Sequence, residues 1–347
     1  MMDKKRVLYY DLLNIVACIA VVALHVNGAV WQFSYDRYWI TSLITETALY
    51  WAVPIFFMLT GATLMDYRER YQTNVFFQKR FVKTGIPFLF WSAVAIPWGL
   101  FVAHTLPADM KFDVAGILDA VFNTKALNIY WFFMPLFAVY LCIPFLSVIP
   151  KENRKKPFAY LAGLSFVTIS CLPLFCNLLG FHFNKDLQNP MGGGFILFVL
   201  LGWLLANCEL SAKVRYALYI GGAGGWALRF LMTLRLSYAN GAVDNSFGGY
   251  TNLPSVLLAV AVFVWFRYHD WSFLTGPRCS RIVRTLSGAS FGVYLTHIFV
   301  LHFLTDRFQI PIRSIWWRVF GILPVYLIPL VITLVIQKIP IIKKIMP

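Results

Sequence analysis

The almost entirely apolar run Val7–Trp31 holds Asp11, Asn14 and His25. At 3.6 residues per turn, Asn14 and His25 lie about three turns apart and point the same way. Asp11 and Cys18 fall within roughly 40° of that stripe. A polar group inside a membrane helix costs about 2.5–3.5 kcal/mol or more and tends to persist where it lines a cavity with a task. A neutral imidazole suits general-base chemistry on a hydroxyl. Counting about 1.5 Å per residue puts His25 some 21 Å beyond Asp11, in the outer half of the membrane. The plainer reading is a histidine bonded into the bundle as glue between helices.

Three further sets carry chemistry. In Lys79-Arg80-Phe81-Val82-Lys83, Arg80 and Lys83 are three apart and share a helical face. A planar fork beside a mobile ammonium makes an anion site that fits a phosphate-bearing donor. The nearby Arg68 and Arg70 read as ordinary topology charges. In the second apolar run, Glu46, Tyr50, Phe57 and Thr60 fall on one face, with Pro54 and Gly61 loosening the helix. Glu46 lies at about the depth of His25 and either orients the imidazole or is solvated at the interface. In the ninth run Ser290, Tyr294 and His297 share a face, while His302, His104 and His182 read as structural.

The elements that must position these groups are membrane helices. Hydrophobic residues make up 59% of the chain and charged ones 13%, against about 45–50% and 25% in soluble domains. Ten apolar runs suit a bilayer core of about 30 Å: 7–31, 42–65, 84–105, 129–149, 158–180, 194–210, 216–235, 253–268, 286–305 and 315–337. The expected fold is all-α, a polytopic membrane protein of about ten transmembrane helices. Residues 1–347 form one membrane domain with no soluble domain.

Lys4, Lys5 and Arg6 precede the first run, whose length marks a signal anchor and not a cleaved peptide. The net charge is +15. With the N-terminus inside, about 21 of the Lys and Arg fall on inner segments, so both termini are expected to be cytoplasmic. This charge reads as a topology signal and contact with anionic lipid, with no nucleic-acid partner. The six cysteines show no CxxC pair, so reduced buried thiols and no metal are expected.

Taken in order, these motifs resemble a known family. Tyr10-Asp11-Leu-Leu-Asn14 leading to His25, Val53-Pro-Ile-Phe-Phe-Met-Leu-Thr-Gly61, Lys79-Arg80-Phe-Val-Lys83 with Ile86-Pro87, Tyr130-Trp131-Phe-Phe, and Phe291-Gly-Val-Tyr294-Leu-Thr-His297 resemble the acyltransferase 3 family. Its members are bacterial integral-membrane O-acyltransferases that modify cell-surface polysaccharides. The resemblance implies that His25 is the catalytic residue, that Arg80 and Lys83 serve acyl-CoA use, that Trp131 is the tryptophan of the fourth span, and that Tyr294 and His297 form the late Tyr-x-x-His. It implies a multi-pass protein of the bacterial cytoplasmic (inner) membrane.

Two positions depart from the family pattern. An arginine eleven before the histidine is Asn14 here, and the second arginine of Arg-x-x-Arg is Lys83. Both changes are expected to alter coenzyme A binding. Without an esterase-like domain in this sequence, the chain finishes the transfer itself or hands on to a separate protein.

The expected activity is transfer of an acyl group, acetyl first, from acetyl-CoA or another acyl-CoA to a hydroxyl of a cell-envelope or lipid-linked glycan. His25 acts as general base or carries the acyl group transiently, with Glu46, Tyr294 and His297 around it. Tyr294 or His297 steadies the oxyanion or lines the tunnel. Asn14, Arg80, Lys83 and Trp131 are the expected cofactor-binding set. The competing classes are a transporter or exporter with broken helices, and a transfer-dead relative serving as an assembly partner.

Overall fold

A computed structural model describes residues 7–107, 109–188 and 194–347; Lys4, Lys5 and Arg6 lie outside them. The described residues are helical and contain no strand. The main helices are α1 (Leu8–Val26), α2 (Arg37–Leu49), α3 (Ala52–Leu64), α4 (Thr73–Phe101), α5 (Val114–Phe122), α6 (Asn128–Leu146), α7 (Lys155–Leu178), α8 (Ile196–Asn207), α9 (Ala212–Asn240), α10 (Leu253–Tyr268), α11 (Pro277–Arg307) and α12 (Ile315–Gln337).

Seven segments are long and apolar enough to cross a membrane: α1, the α2–α3 stretch Arg37–Glu69, α4, α6, α7, α11 and α12. Helices α8 and α10 are apolar but shorter. Helix α9 has 29 residues but carries Arg215, Arg229 and Arg235. The chain is therefore a multi-pass membrane protein.

Two elements differ from the sequence reading. The second apolar run is two helices, broken at Tyr50–Trp51. Pro54 explains the break: it offers no N–H to the carbonyl of Tyr50, and its ring crowds that carbonyl. The basic run before the third span is also part of α4, which begins at Thr73 and widens into a π-helical stretch at Phe81–Gly85. Such widened turns in an α-helix are frequent at functional sites.

Helix α1 is central, packing against α2, α3, α10, α11 and α12. Helices α3 and α8 approach closely, and two glycines there meet backbone. A side chain at Gly61 would collide with the Val199 carbonyl, and one at Gly202 with that of Met58. Backbones that close need small residues, the usual device between membrane helices.

At the end of the bundle holding the start of α1, an ion-pair group ties α3 to α7. Asp66 bonds Arg154 at 2.5 Å and Lys151 at 2.8 Å. The same guanidinium donates to the carbonyls of Ile149 at 2.7 Å and Ser147 at 3.1 Å. Every strong group in that knot is satisfied, as burial requires. Of the six cysteines, none is in a disulfide. Cys18 and Cys176 are buried as expected, but Cys142 is exposed, because its stretch of α6 lies on the outside of the bundle.

Candidate active site

A cavity of about 780 Å³ runs through the bundle. Lys83 and Trp31, both exposed, line it from opposite ends. At one end Arg80 and Lys83 are joined by Asp11, Asn14, Ser287 and Tyr140. The Arg80 guanidinium lies over the rings of Phe76 and Tyr140, at 5.8 and 5.7 Å. Its Nε is enclosed without a hydrogen-bond partner. Among the described residues neither cation is paired with a carboxylate.

Asn14 lines the same end but is committed to α11. Its amide donates to the Ser287 carbonyl at 2.9 Å and to Ser287 Oγ at 3.2 Å, and Ser287 Oγ donates to Asp11 at 2.8 Å. The side chain joins two helices, and its neutral amide brings no charge for a phosphate.

At the other end, His25 Nδ1 sits 2.8 Å from His297 Nε2, the rings stacked with centroids 4.9 Å apart. His297 is fully buried, and its Nδ1 lies 2.7 Å from the Tyr294 carbonyl and 3.1 Å from that of Val293. Carbonyls only accept, so that Nδ1 carries a proton. With both rings neutral, His297 Nε2 is then bare and must accept from His25 Nδ1–H. One lone pair remains, on His25 Nε2, in a residue that lines the cavity. Two helix carbonyls thus fix, through His297, which nitrogen of His25 keeps a free lone pair.

Tyr294 lines the cavity beside His25, but its hydroxyl donates to the Ile129 carbonyl at 2.7 Å. His297 does not reach the cavity. The expected oxyanion role therefore does not suit these two in this arrangement: one hydroxyl proton is already given away, and the other ring is sealed behind His25. Both residues hold the start of α6 and the base in register with α11, as does Tyr130, which donates to the Leu295 carbonyl at 2.7 Å.

Glu46 and Tyr50 also line the cavity, whereas Phe57 points into the core against Phe132 and Phe195 because of the break before Pro54. Glu46 does not orient the imidazole. Its charged neighbour is Arg229 of α9, with Nη2 4.0 Å from Oε1 and both side chains almost wholly buried. The Arg229 guanidinium lies 3.6 Å from the centroid of Tyr50. Tyr50 stacks on Tyr250 at 4.2 Å and 9°, and Tyr250 on Trp131 at 5.3 Å and 19°. Trp131 thus belongs to the histidine end. It lies nine residues along α6 from the Tyr140 that Arg80 covers, about 13 Å at helical rise.

Arg229 and Tyr250 were not singled out from the sequence. A signal for Arg229 exists: the buried face of α9 is Gly222, Gly225, Arg229, Thr233 and Ser237, a small and polar stripe with an arginine inside it. Of the histidines read as structural, His302, His104 and His182 do not line the cavity. Among the described residues no group of three His, Cys, Asp or Glu side chains is arranged to hold a metal ion.

No curated protein and no solved structure matches the chain. Residues 7–334 match a family model described as an acyltransferase domain, a stretch that includes His25, Arg80, Lys83 and His297. The chain belongs to the acyltransferase 3 family and is, at that level, a membrane acyltransferase.

Proposed function

We propose that the protein is an O-acyltransferase of the bacterial cytoplasmic membrane, moving an acetyl group from acetyl-CoA to a hydroxyl of a cell-envelope or lipid-linked glycan. The observation that carries this reading is a single cavity with two cations at one end, neither in an ion pair among the described residues, and an imidazole with one open nitrogen at the other. Arg80 and Lys83 take the nucleotide phosphates, which suit a guanidinium fork and a mobile ammonium. Asn14 and His25 are about 16 Å apart along α1. The flexible pantetheine arm of the donor, not its nucleotide, crosses that distance and brings the thioester to His25.

The acceptor hydroxyl enters from the Trp31 end. His25 Nε2 removes its proton as the oxygen attacks the thioester carbonyl. The C–S bond breaks, an ester C–O bond remains, and the thiolate takes the proton from His25 to leave as coenzyme A thiol. During the step His25 is an imidazolium whose Nδ1–H is held by His297, so the third group of the relay orients the base and shares its charge.

The test is thiol release from acetyl-CoA by the purified protein when glycan acceptors are added. Acceptor-dependent release supports the reading. A transporter has no reason to retain acetyl-CoA, so absence of both binding and release favours that class instead.

A further inference from the structure

At the histidine end Glu46 lines the cavity, and its buried partner Arg229 stands behind it, the two not joined by a direct hydrogen bond. Glu46 is 6% exposed and Arg229 4% exposed. Glu46 faces the cavity yet takes no hydrogen bond from any described residue. Arg229 Nε and Nη1 are enclosed without a partner, and Nη2 is the nitrogen turned to Glu46. Buried charges persist when paired and hydrogen-bonded, and between these two the second condition is unmet.

The 4.0 Å between Nη2 and Oε1 is too long for a direct bond but suits a third group. An oxygen about 2.8 Å from each atom, the ordinary hydrogen-bond length, closes a triangle on that edge. Such a group must accept from the guanidinium and donate to the carboxylate at once. A hydroxyl does both. An ammonium only donates and a carboxylate only accepts, so neither satisfies the pair. The pair is also neutral overall and offers no net attraction to a charged ring. Beside it, Tyr50, Tyr250 and Trp131 form a stacked, rigid wall that lines the same cavity. An apolar aromatic wall with a hydroxyl-reading edge is chemistry for a sugar ring, apolar C–H groups on one side and hydroxyls on the other.

Resting on the acyltransferase reading, we infer that Glu46, Arg229, Tyr50, Tyr250 and Trp131 form the acceptor subsite, and that it selects a neutral hydroxyl-rich sugar ring over amino sugars and uronic acids. One hydroxyl of that ring bridges Glu46 and Arg229, and another then lies toward His25. Arg229 acts as a positioning residue, holding Tyr50 and the carboxylate.

The experiment is direct binding, which needs no turnover. Methyl glucoside, methyl galactoside and methyl mannoside are titrated against the detergent-purified full chain by ligand-observed NMR, with glucosamine and glucuronate as charged counterparts. Acetyl-CoA affinity is measured on the same samples and reports folding of each variant. At least one neutral glycoside is expected to bind about tenfold or more tightly than either charged sugar. Glu46→Gln and Tyr250→Ala should each weaken it about ten- to hundredfold, the range for a lost charge-assisted hydrogen bond, while acetyl-CoA affinity holds.

The inference is overturned by no binding of any neutral glycoside, by equal binding of glucosamine or glucuronate, or by unchanged sugar affinity in both variants. Should the wild-type protein bind a neutral sugar through these residues but not acetyl-CoA, the subsite stands and the acyltransferase reading fails.

Discussion

At one end of the cavity Arg80 and Lys83 form no ion pair with a carboxylate among the described residues, whereas at the other Arg229 faces Glu46 at 4.0 Å. The first arrangement leaves net positive charge in a wall of low dielectric and calls for an anion. The second cancels its own charge and leaves only hydrogen-bonding capacity. On the proposed reading the two ends suit different partners, one charged and one neutral. A second contrast lies within the cation end itself. Arg154 is saturated by Asp66 and two carbonyls, so it is structure, while Arg80 Nε has no partner among the described residues and, on the proposed reading, Arg80 serves the donor.

Removing the satisfied pair should show the largest effect on the fold. Asp66→Ala strands a buried Arg154, and the loss of such a partner costs about 3–5 kcal/mol. A large fall in thermal stability in detergent is expected, and an unchanged melting temperature would erase the distinction between the two arginines. Removing the open cations should spare the fold and strike the donor. Arg80→Ala with Lys83→Ala is expected to raise the KM for acetyl-CoA by about ten- to hundredfold, the scale of lost charge-assisted bonds, with the sugar KM steady.

At the histidine end, His297→Ala frees the ring of His25 to take either tautomer. A kcat reduced by about 10- to 100-fold, the usual scale for a group that orients another, with both KM values held, separates positioning from binding. The smallest effect belongs to Asn14→Ala. It loses one neutral bond to α11, so a change of about threefold or less in donor KM is expected. A much larger change would make Asn14 a donor ligand after all.

Much of the cation end was legible in the sequence because it is local. Arg80 and Lys83 are three residues apart, and helical spacing alone puts them on one face. The same holds for the stripe of Asp11, Asn14 and His25, and for Ser290, Tyr294 and His297. What spacing cannot give is the partner of each group. His25 meets His297 across 272 positions, and Glu46 meets Arg229 only because α2 and α9 pack together. Those pairings supply the neighbours that spacing leaves open: Glu46 has an arginine as its charged neighbour, and Trp131 is part of a stack at the histidine end. The break at Tyr50 is half visible in the sequence, since Pro54 loosens the helix, but its position follows from the carbonyl four residues earlier.

The central claim is that His25 Nε2 is the base, and the His25→Gln variant tests it most directly. Glutamine keeps a polar side chain of similar reach but removes the basic nitrogen. Acetyl-CoA affinity should match the wild type while acceptor-dependent thiol release falls by about 10²- to 10⁴-fold, the range for a lost general base. Release at the wild-type rate from a variant that binds acetyl-CoA normally would contradict the claim.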